Sequence, residues 1–509
     1  MEPKPRRGRA ARANEATAEP SPPGAAAGGR FRPLDVAEEA LAHETALELL
    51  ATLGLAGAPH SMIAKVEAAG GKLSAEGRLT FPHELIEAAI AGARRDVTLS
   101  GRGEAPALDL SGARLHFSSG GASPSIVDLE TGAYRGAETR DLFAAAKLVD
   151  ALGHVDHFSR SLVARDASDP LTMDVNTAYA CLAGTSKHVS ISISDPAYVE
   201  RIARLCHLIA GGEAAFRARP FLTVMVCHVV PPMRFATEAC ETLEAAVRAG
   251  FPVQVISAGQ AGATSPASIA GSLAQAVAET LAGVAFAWLV DPGARIIFAP
   301  KPLVADLRTG AMCGGGGEQA ILMAGAAQMG RFYDLPTSSI AGITDAKVAD
   351  AQAGYEKSLA VTLAAQAGAN LITQACGMQA SLLGASLEAY VIDNDMLGAI
   401  RRSVRGVEAT AENLSADVIR EACLGEGHYL GHRDTLARMK ADYVYPAVAD
   451  RRSPDEWEAD GALDMRARAR IAARQILATP RPPAIPPEID EAIRAEFDIL
   501  LSREAVGRG

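Results

Sequence analysis

Four kinds of residue in this 509-residue chain could do chemistry by type and spacing. A catalytic zinc needs about three converging His, Cys or carboxylate ligands. Cys206-His207 and Cys227-His228 are adjacent pairs whose side chains diverge, and His428-x₃-His432 is flanked by glycines, so no metal is expected. A Schiff base needs a lysine at the end of a strand, and Lys301 and Lys347 qualify by position. Lys301 sits between Pro300 and Pro302 and reads as a surface loop lysine. The run Gly314–Gly317 could offer backbone N–H groups to an anion, but no Lys-Ser/Thr follows it and no strand directly precedes it. It reads as a flexible loop rather than a phosphate nest. A cation cage would draw on Phe117, Phe158, Phe298, Tyr355 and Tyr390, each of which also suits a core.

The elements that must position these residues show in the middle of the chain. Short β-branched runs recur near Leu115, Phe158, Val189, Leu222, Val253, Ile296, Ser338 and Leu371, 31 to 43 residues apart, with a helical pattern after nearly every one. That rhythm predicts a parallel sheet, and eight repeats without a GxGxxG predict an α/β fold of the (β/α)₈ TIM-barrel type over 111–405. An N-terminal helical cap with short strands is expected over 33–110. Val36, Ala40, Leu41, Ala46, Leu47 and Leu50 should form one apolar face there, and a second helix should open at Pro82. A C-terminal helical extension is expected over 406–509, with helices near 411–423, 435–440 and 465–477 and a stiff spacer at Pro480–Pro487.

In such a barrel the site lies just beyond the carboxyl end of each strand. The residues there are Ser119-Gly-Gly121, Ser192–Asp195, Cys227-His228, Ser257–Gln260 with Gly262, Ala299–Lys301, Gly342–Asp345 with Lys347, and Gln374–Cys376. The mouth they form is polar and partly acidic.

The formal net charge of −11 argues against a nucleic-acid-binding body. Six basic and three acidic residues in the first 30, with much Ala, Pro and Gly, read as a disordered basic tail over 1–32. The longest apolar stretch, Ala282 to Val290, is too short to cross a bilayer, so no membrane association is expected. Seven scattered cysteines without a CxxC suit reduced thiols in a cytoplasm.

Several ordered stretches carry a resemblance: Ala261–Pro266, Leu273–Glu279, Asp306–Gly310, Gly342–Lys347, Asp350–Lys357 and Val391–Asn394. With His116–Gly120, Asp128–Gly132, Thr185–His188, Gly427–His432 and Asp450–Ser453, they make the chain similar to the trimethylamine methyltransferase family from about residue 33 to 460. The resemblance implies transfer of a methyl group from a methylated amine to the cobalt of a separate corrinoid-binding protein. The chain itself then binds no cofactor directly, and the corrinoid (cobalamin) rides on the partner. All residues here are standard, so the chain resembles the non-pyrrolysine members, which act on quaternary amines such as glycine betaine.

Within that resemblance Asp345, Lys347 and Asp350 are the catalytic candidates, around the segment expected to match the pyrrolysine position. Asp345 and Asp350 would attract the ammonium or anchor the loop, and Lys347 would pair a carboxylate tail or fill the pyrrolysine's space. Cys227, Gln260, Gly262, Tyr355, Gln374 and Glu388 are the substrate-binding candidates; the two glutamines would hydrogen-bond a substrate carboxylate. Two other readings stay open: a Schiff-base barrel lyase, and a non-catalytic relative that binds a quaternary amine or the corrinoid protein. Oligomeric state is not legible.

Overall fold

The computed structural model describes residues 27–507. The expected disordered tail lies outside the described residues up to position 26. From Ala27 the chain is held, with Gly28 N donating to Ala113 O at 3.0 Å and Gly29 N to Gln366 O at 2.7 Å.

Three helices open the fold: α1 (Val36–Glu48), α2 (His60–Ala68) and α3 (His83–Gly92). A capping box between Asp35 and Glu38 starts α1, and Pro82 is the N-cap of α3. The buried stripe of α1 differs from the expected one. Ala46, Leu47 and Leu50 are buried, but Val36 and Leu41 face solvent while Glu39 and His43 turn inward. Both polar groups are satisfied: Glu39 accepts from Arg32 at 2.6 Å and Gln328 at 2.7 Å, and His43 bridges Glu87 and Tyr333. Hydrogen bonding has overridden the apolar pattern.

Eight parallel strands follow, at the eight expected places: β1 (His116–Phe117), β2 (His157–Ser159), β3 (His188–Ile191), β4 (Leu222–Cys227), β5 (Val253–Ser257), β6 (Ile296–Pro300), β7 (Ser338–Ile340) and β8 (Leu371–Thr373). A helix follows each: α4 (Thr139–Ala151), α5 (Pro170–Gly184), α6 (Val199–Ala210), α7 (Thr237–Arg248), α8 (Ile269–Val290), α9 (Gly317–Phe332), α10 (Ala351–Ala367) and α11 (Leu387–Arg405). The strands form two parallel sheets, β6-β5-β4-β3-β2 and β7-β8-β1. Isolated parallel bridges pair Ser118 with His157 and Phe298 with Thr337, so the ends of one sheet each meet a strand of the other. All eight carboxyl ends therefore point the same way.

At the opposite ends an antiparallel hairpin, Thr98–Leu99 with Leu108–Asp109, packs its Val97, Leu99, Leu108 and Leu110 against Ile297 and Leu371. This contact sets which side chains face inward. Alternation along a strand puts Ala299 and Lys301 on the face of Ile297, and Thr373 on the face of Leu371.

Helix α8 corrects one expectation, since its 22 residues are long and apolar enough to cross a bilayer. In the fold 83% of its most apolar window is buried. Leu273, Val277, Leu281, Val284 and Phe286 enter the core there, each contributing roughly 1.5–3 kcal/mol. A Cβ on Gly283 would come within 2.4 Å of His228 and 2.5 Å of Val255, so only glycine lets the helix lie this close to β4 and β5.

Residues 407–445 form a compact unit of their own, with helices α12 (Ala416–Leu424) and α13 (Arg433–Ala441). Residues from 446 onward belong with the main body. There α14 (Met465–Ala478) packs on α11 and α4, and the proline-rich spacer is pinned, with Arg481 beside Asp150 at 3.2 Å and Arg102 donating to Ala484 O at 3.0 Å.

Candidate active site

Lys301 stands one residue past the end of β6, on its inward face. It is buried, against the expectation of a surface loop lysine. Nζ donates to Thr373 Oγ1 at 2.9 Å and Gln254 Oε1 at 3.3 Å. Thr373 passes the bond on to Ser339 O, and Gln254 Nε2 reaches Ser190 Oγ at 3.5 Å, which pairs with His157 Nε2 at 2.8 Å. Removal from water pushes the Lys301 ammonium down to about 8. His157 is held well below its usual range, first by burial and then by the charges of His188, His116 and Lys301.

Cys227 closes β4, on the face of Thr223, whose hydroxyl meets His188 Nε2 at 2.7 Å. It is open to solvent at the strand end yet ringed by protein. Burial raises its thiol above the ordinary value, while the positive charges of Lys301 and Arg160 act the other way. Arg160 follows β2 directly. Its Nε is buried without a partner, and among the described residues its guanidinium makes no hydrogen bond or ion pair. Asp174 lies near it, but spends Oδ2 on Ser194 N at 2.7 Å and Ser194 Oγ at 2.9 Å and leaves Oδ1 unpartnered.

Gln374 follows β8 directly with φ +57, a conformation uncommon outside glycine. Its N–H donates to Ser119 O at 3.1 Å, and its side chain lies against Gly120. Opposite it, Gly342 has φ +95, and a Cβ there would fall 2.6 Å from Gln374 O. The two strand ends are thus in backbone contact, an approach that excludes any side chain at 342.

Asp345 gives the glycine run a different meaning from the expected flexible loop. A short strand, Met312–Cys313, does precede the run. The Gly314 amide donates to Asp345 at 2.8 Å and the Gly315 amide at 3.2 Å, joined by Ser381 Oγ at 2.5 Å and Cys313 Sγ at 3.2 Å. The nest holds the protein's own carboxylate. Burial alone would raise Asp345, but these donors keep it below the usual carboxylate range. Lys347 is exposed and folds back, Nζ donating to Asp345 O at 2.7 Å. Asp350 is the N-cap of α10, accepting from Gln352 N and Ala353 N.

The other candidates lie apart from Cys227, Gln374 and Lys301 or serve the scaffold. Gln260 pairs with Leu303 in a short ladder and accepts from the amides of Thr264 and Ser265, while Gly262, with φ +88, turns that loop. Tyr355 is 63% exposed on α10, whereas Phe117, Phe158, Phe298 and Tyr390 are core residues. Glu388 is 3% exposed and ion-paired to Arg466 and Arg470, each at 2.9 Å.

Glu279 on α8 closes the stretch Leu273–Glu279 and is not among the expected site residues. It accepts from Ser257 Oγ at 2.5 Å, Met233 N at 2.7 Å and Gln275 Nε2 at 3.0 Å, tying the loops after β4 and β5. Burial raises its carboxyl despite these bonds. The carboxylates of Glu279 and Asp345 thus have donors, whereas Arg160 Nε has no acceptor among the described residues. Among the described residues no group of three His, Cys, Asp or Glu could hold a metal.

The sequence pattern of the family described as trimethylamine methyltransferase matches residues 4–503. Trimethylamine methyltransferase MttB of Desulfitobacterium hafniense (strain DSM 10664 / DCB-2) is 30% identical over 467 residues, 92% of this chain and 93% of that one. Glycine betaine methyltransferase of Desulfitobacterium hafniense (strain Y51) is 28% identical over 454 residues, 89% and 94% of the two chains. Among solved structures, dihydropteroate synthase from Xanthomonas albilineans aligns over 59% of this chain and 97% of its own, at 14% identity and a TM-score of 0.36.

Proposed function

The chain belongs to the trimethylamine methyltransferase family and is a methyltransferase, and from that we propose that it moves a methyl group from a methylated amine to the Co(I) of a separate corrinoid-binding protein. The family match over residues 4–503 carries this reading. The eight parallel strands, with bridges between their two sheets, support a closed (β/α)₈ barrel over 111–405. A helical cap over 33–110 and a helical extension over 406–509 complete the proposed organisation, in a cytoplasmic protein whose seven cysteines are free.

The partner's Co(I) supplies a strong nucleophile. The C–N bond breaks, the methyl carbon goes to cobalt, and the electron pair stays on the nitrogen of the departing amine, which is tertiary when the donor is quaternary. The protein's part is positioning and exclusion of water. We assign the donor site to the mouth around Cys227 and Gln374, with Lys301, Gln254 and Thr373 at its floor. Asp345 holds the loop wall in place rather than meeting the donor, and Lys347, Asp350, Gln260, Gly262, Tyr355 and Glu388 belong to its surroundings. The open position of Cys227 suits docking of a corrinoid carried by a second protein.

The test mixes the purified protein with a corrinoid protein reduced to Co(I) and follows the cobalt absorbance while glycine betaine, trimethylamine and carnitine are added singly. Methylation of cobalt with one donor supports the reading. Silence with all donors, when the corrinoid protein is active with another enzyme, overturns it for these substrates.

A further inference from the structure

Beneath the mouth, helices α10 and α11 bring together an ion pair that methyl transfer does not use. Lys357 Nζ donates to Asp393 Oδ2 at 2.7 Å, and both side chains are almost fully buried. An ion pair so deep gains little net stability, because both charges lose their water and an apolar pair of like size often does as well. The same oxygen of Asp393 also accepts from the Gly377 amide at 2.8 Å. Gly377 closes the turn that leaves β8. Its φ is +83, that of Gln374 is +57, and the two left-handed positions bracket the buried Ala375 and Cys376. A Cβ on Gly377 would fall 2.3 Å from Tyr390 Cζ, so the turn rests directly on a ring of α11.

The other end of this turn carries the Gln374 side chain. A glutamine at positive φ persists only where its surroundings fix it. With its amide assigned so that both groups find partners, Oε1 accepts from Gly121 N at 3.3 Å and Nε2 donates to Thr373 Oγ1 at 2.5 Å. The Thr373 hydroxyl is then complete, donating to Ser339 O and accepting from Lys301 and Gln374. We infer that Lys357 and Asp393 are positioning residues for the donor site, holding the Gly377 amide so that the turn keeps the Gln374 side chain between Gly121 and Thr373. Asp393 is the anchor. Burial pushes its carboxyl up, and the Lys357 ammonium acts against that, keeping an acceptor oxygen turned to Gly377. Neither residue touches the donor. The weight given to Gln374 rests on the methyl-transfer reading, whereas the hold on the turn does not.

Double variants of the full-length protein separate the anchor from the charges. Lys357→Met/Asp393→Asn removes both charges and keeps a carbonyl oxygen for Gly377, whereas Lys357→Met/Asp393→Leu removes the acceptor as well. Lys357→Met/Asp393→Ser, whose hydroxyl is too short to reach Gly377, is a second acceptor-free chain, and thermal melting shows which chains fold. Amide hydrogen exchange, read by mass spectrometry on peptides covering 374–379, should quicken about tenfold in the acceptor-free chains and stay unchanged in Lys357→Met/Asp393→Asn. In the corrinoid assay, with trimethylamine and glycine betaine as probes, the donor KM should rise about tenfold in the acceptor-free chains alone, with the KM for the corrinoid protein unmoved. Gln374→Asn should raise the donor KM by itself, and adding an acceptor-free pair to it should raise it no further. Equal exchange in the two kinds of double variant overturns the inference, as does faster exchange with an unchanged donor KM, or a loss that adds to that of Gln374→Asn. Unfolding of both acceptor-free chains beside an intact Lys357→Met/Asp393→Asn overturns it too, since the anchor would then hold the whole fold. No turnover of either probe by the unaltered chain overturns the methyl-transfer reading for these substrates, and the exchange comparison alone then decides whether the pair holds the turn.

Discussion

Lys301 Nζ donates to Thr373 Oγ1 at 2.9 Å, although β7 lies between their strands in the hydrogen-bonded order. A bond that skips a strand needs both side chains on the same inner face, where the alternation from Ile297 and Leu371 puts them. The same face brings Gln254 to Lys301, and it leaves the top layer for Cys227 and the Arg160 side.

Cys227 gives direct access to that layer. Cys227 and Cys423 are exposed residues and Cys313 is half-buried, while Cys181, Cys206, Cys240 and Cys376 are buried. In a Cys423→Ser background, iodoacetamide should label Cys227 and stop turnover, and glycine betaine should slow the labelling. Because burial raises the thiol, the reaction should be slow at neutral pH and quicken as pH rises. Peptide mapping checks the site; labelling of Cys227 with turnover intact would remove it from the donor site.

The eight strands were legible because β-branched runs recur at a spacing that admits a strand, a helix and two loops. What went unread were residues defined by inward parity rather than by neighbours. Lys301 looked exposed because prolines flank it, yet Ile297-x-Ala299-x-Lys301 carries the inward alternation in plain sight. Arg160 had no signal at all, since a single arginine after Phe158-Ser159 belongs to no motif. The glycine run hid its partner, because a nest filled by Asp345 and one awaiting a phosphate look alike in sequence. The apolar pattern points Val36 and Leu41 inward, and long-range bonds from Gln328 and Tyr333 turn Glu39 and His43 inward instead.

Glu388 separates a scaffold role from a binding one. Its carboxylate meets Arg466 and Arg470 of α14 while being almost fully buried itself. Glu388→Gln should lower unfolding free energy by about 1–3 kcal/mol, the two arginines being partly solvated. Urea denaturation reads this loss. The donor KM should stay as it is, and a KM shift of tenfold or more would return Glu388 to the donor site.

The glycine nest should be intolerant at Gly315, as at Gly314, whose Cβ would lie 2.1 Å from Ile343 Cγ2. A Cβ on Gly315 would lie 2.1 Å from Glu356 Cδ and 2.2 Å from its Oε2. Glu356 cannot give way cheaply, since it accepts from Asp345 N at 2.8 Å and Gln352 at 2.9 Å. Gly315→Ala should therefore destabilise by about 1–3 kcal/mol. Gly317→Ala, whose Cβ would meet nothing within 4 Å, is the matched control. Equal melting temperatures for the two would show that the nest does not hold the loop.

Lys301 makes donor binding sensitive to alkaline pH. Burial brings its ammonium down to about 8, so it is charged below that pH and neutral above it. Binding of a donor that carries a carboxylate should weaken as pH climbs through about 8, when the positive charge of Lys301 at the floor is lost. The KM for glycine betaine should rise about tenfold across that range, and Lys301→Met should show a high KM with no such rise. Stability moves the opposite way. The folded group sits below the ordinary lysine value of 10.5, so between about 8 and 10.5 the unfolded chain binds a proton that the folded chain does not. This group's contribution to stability therefore grows with pH through that window. A KM that stays flat through pH 8 in the unaltered chain, with the fold intact by circular dichroism, would mean that the lysine does not meet the donor.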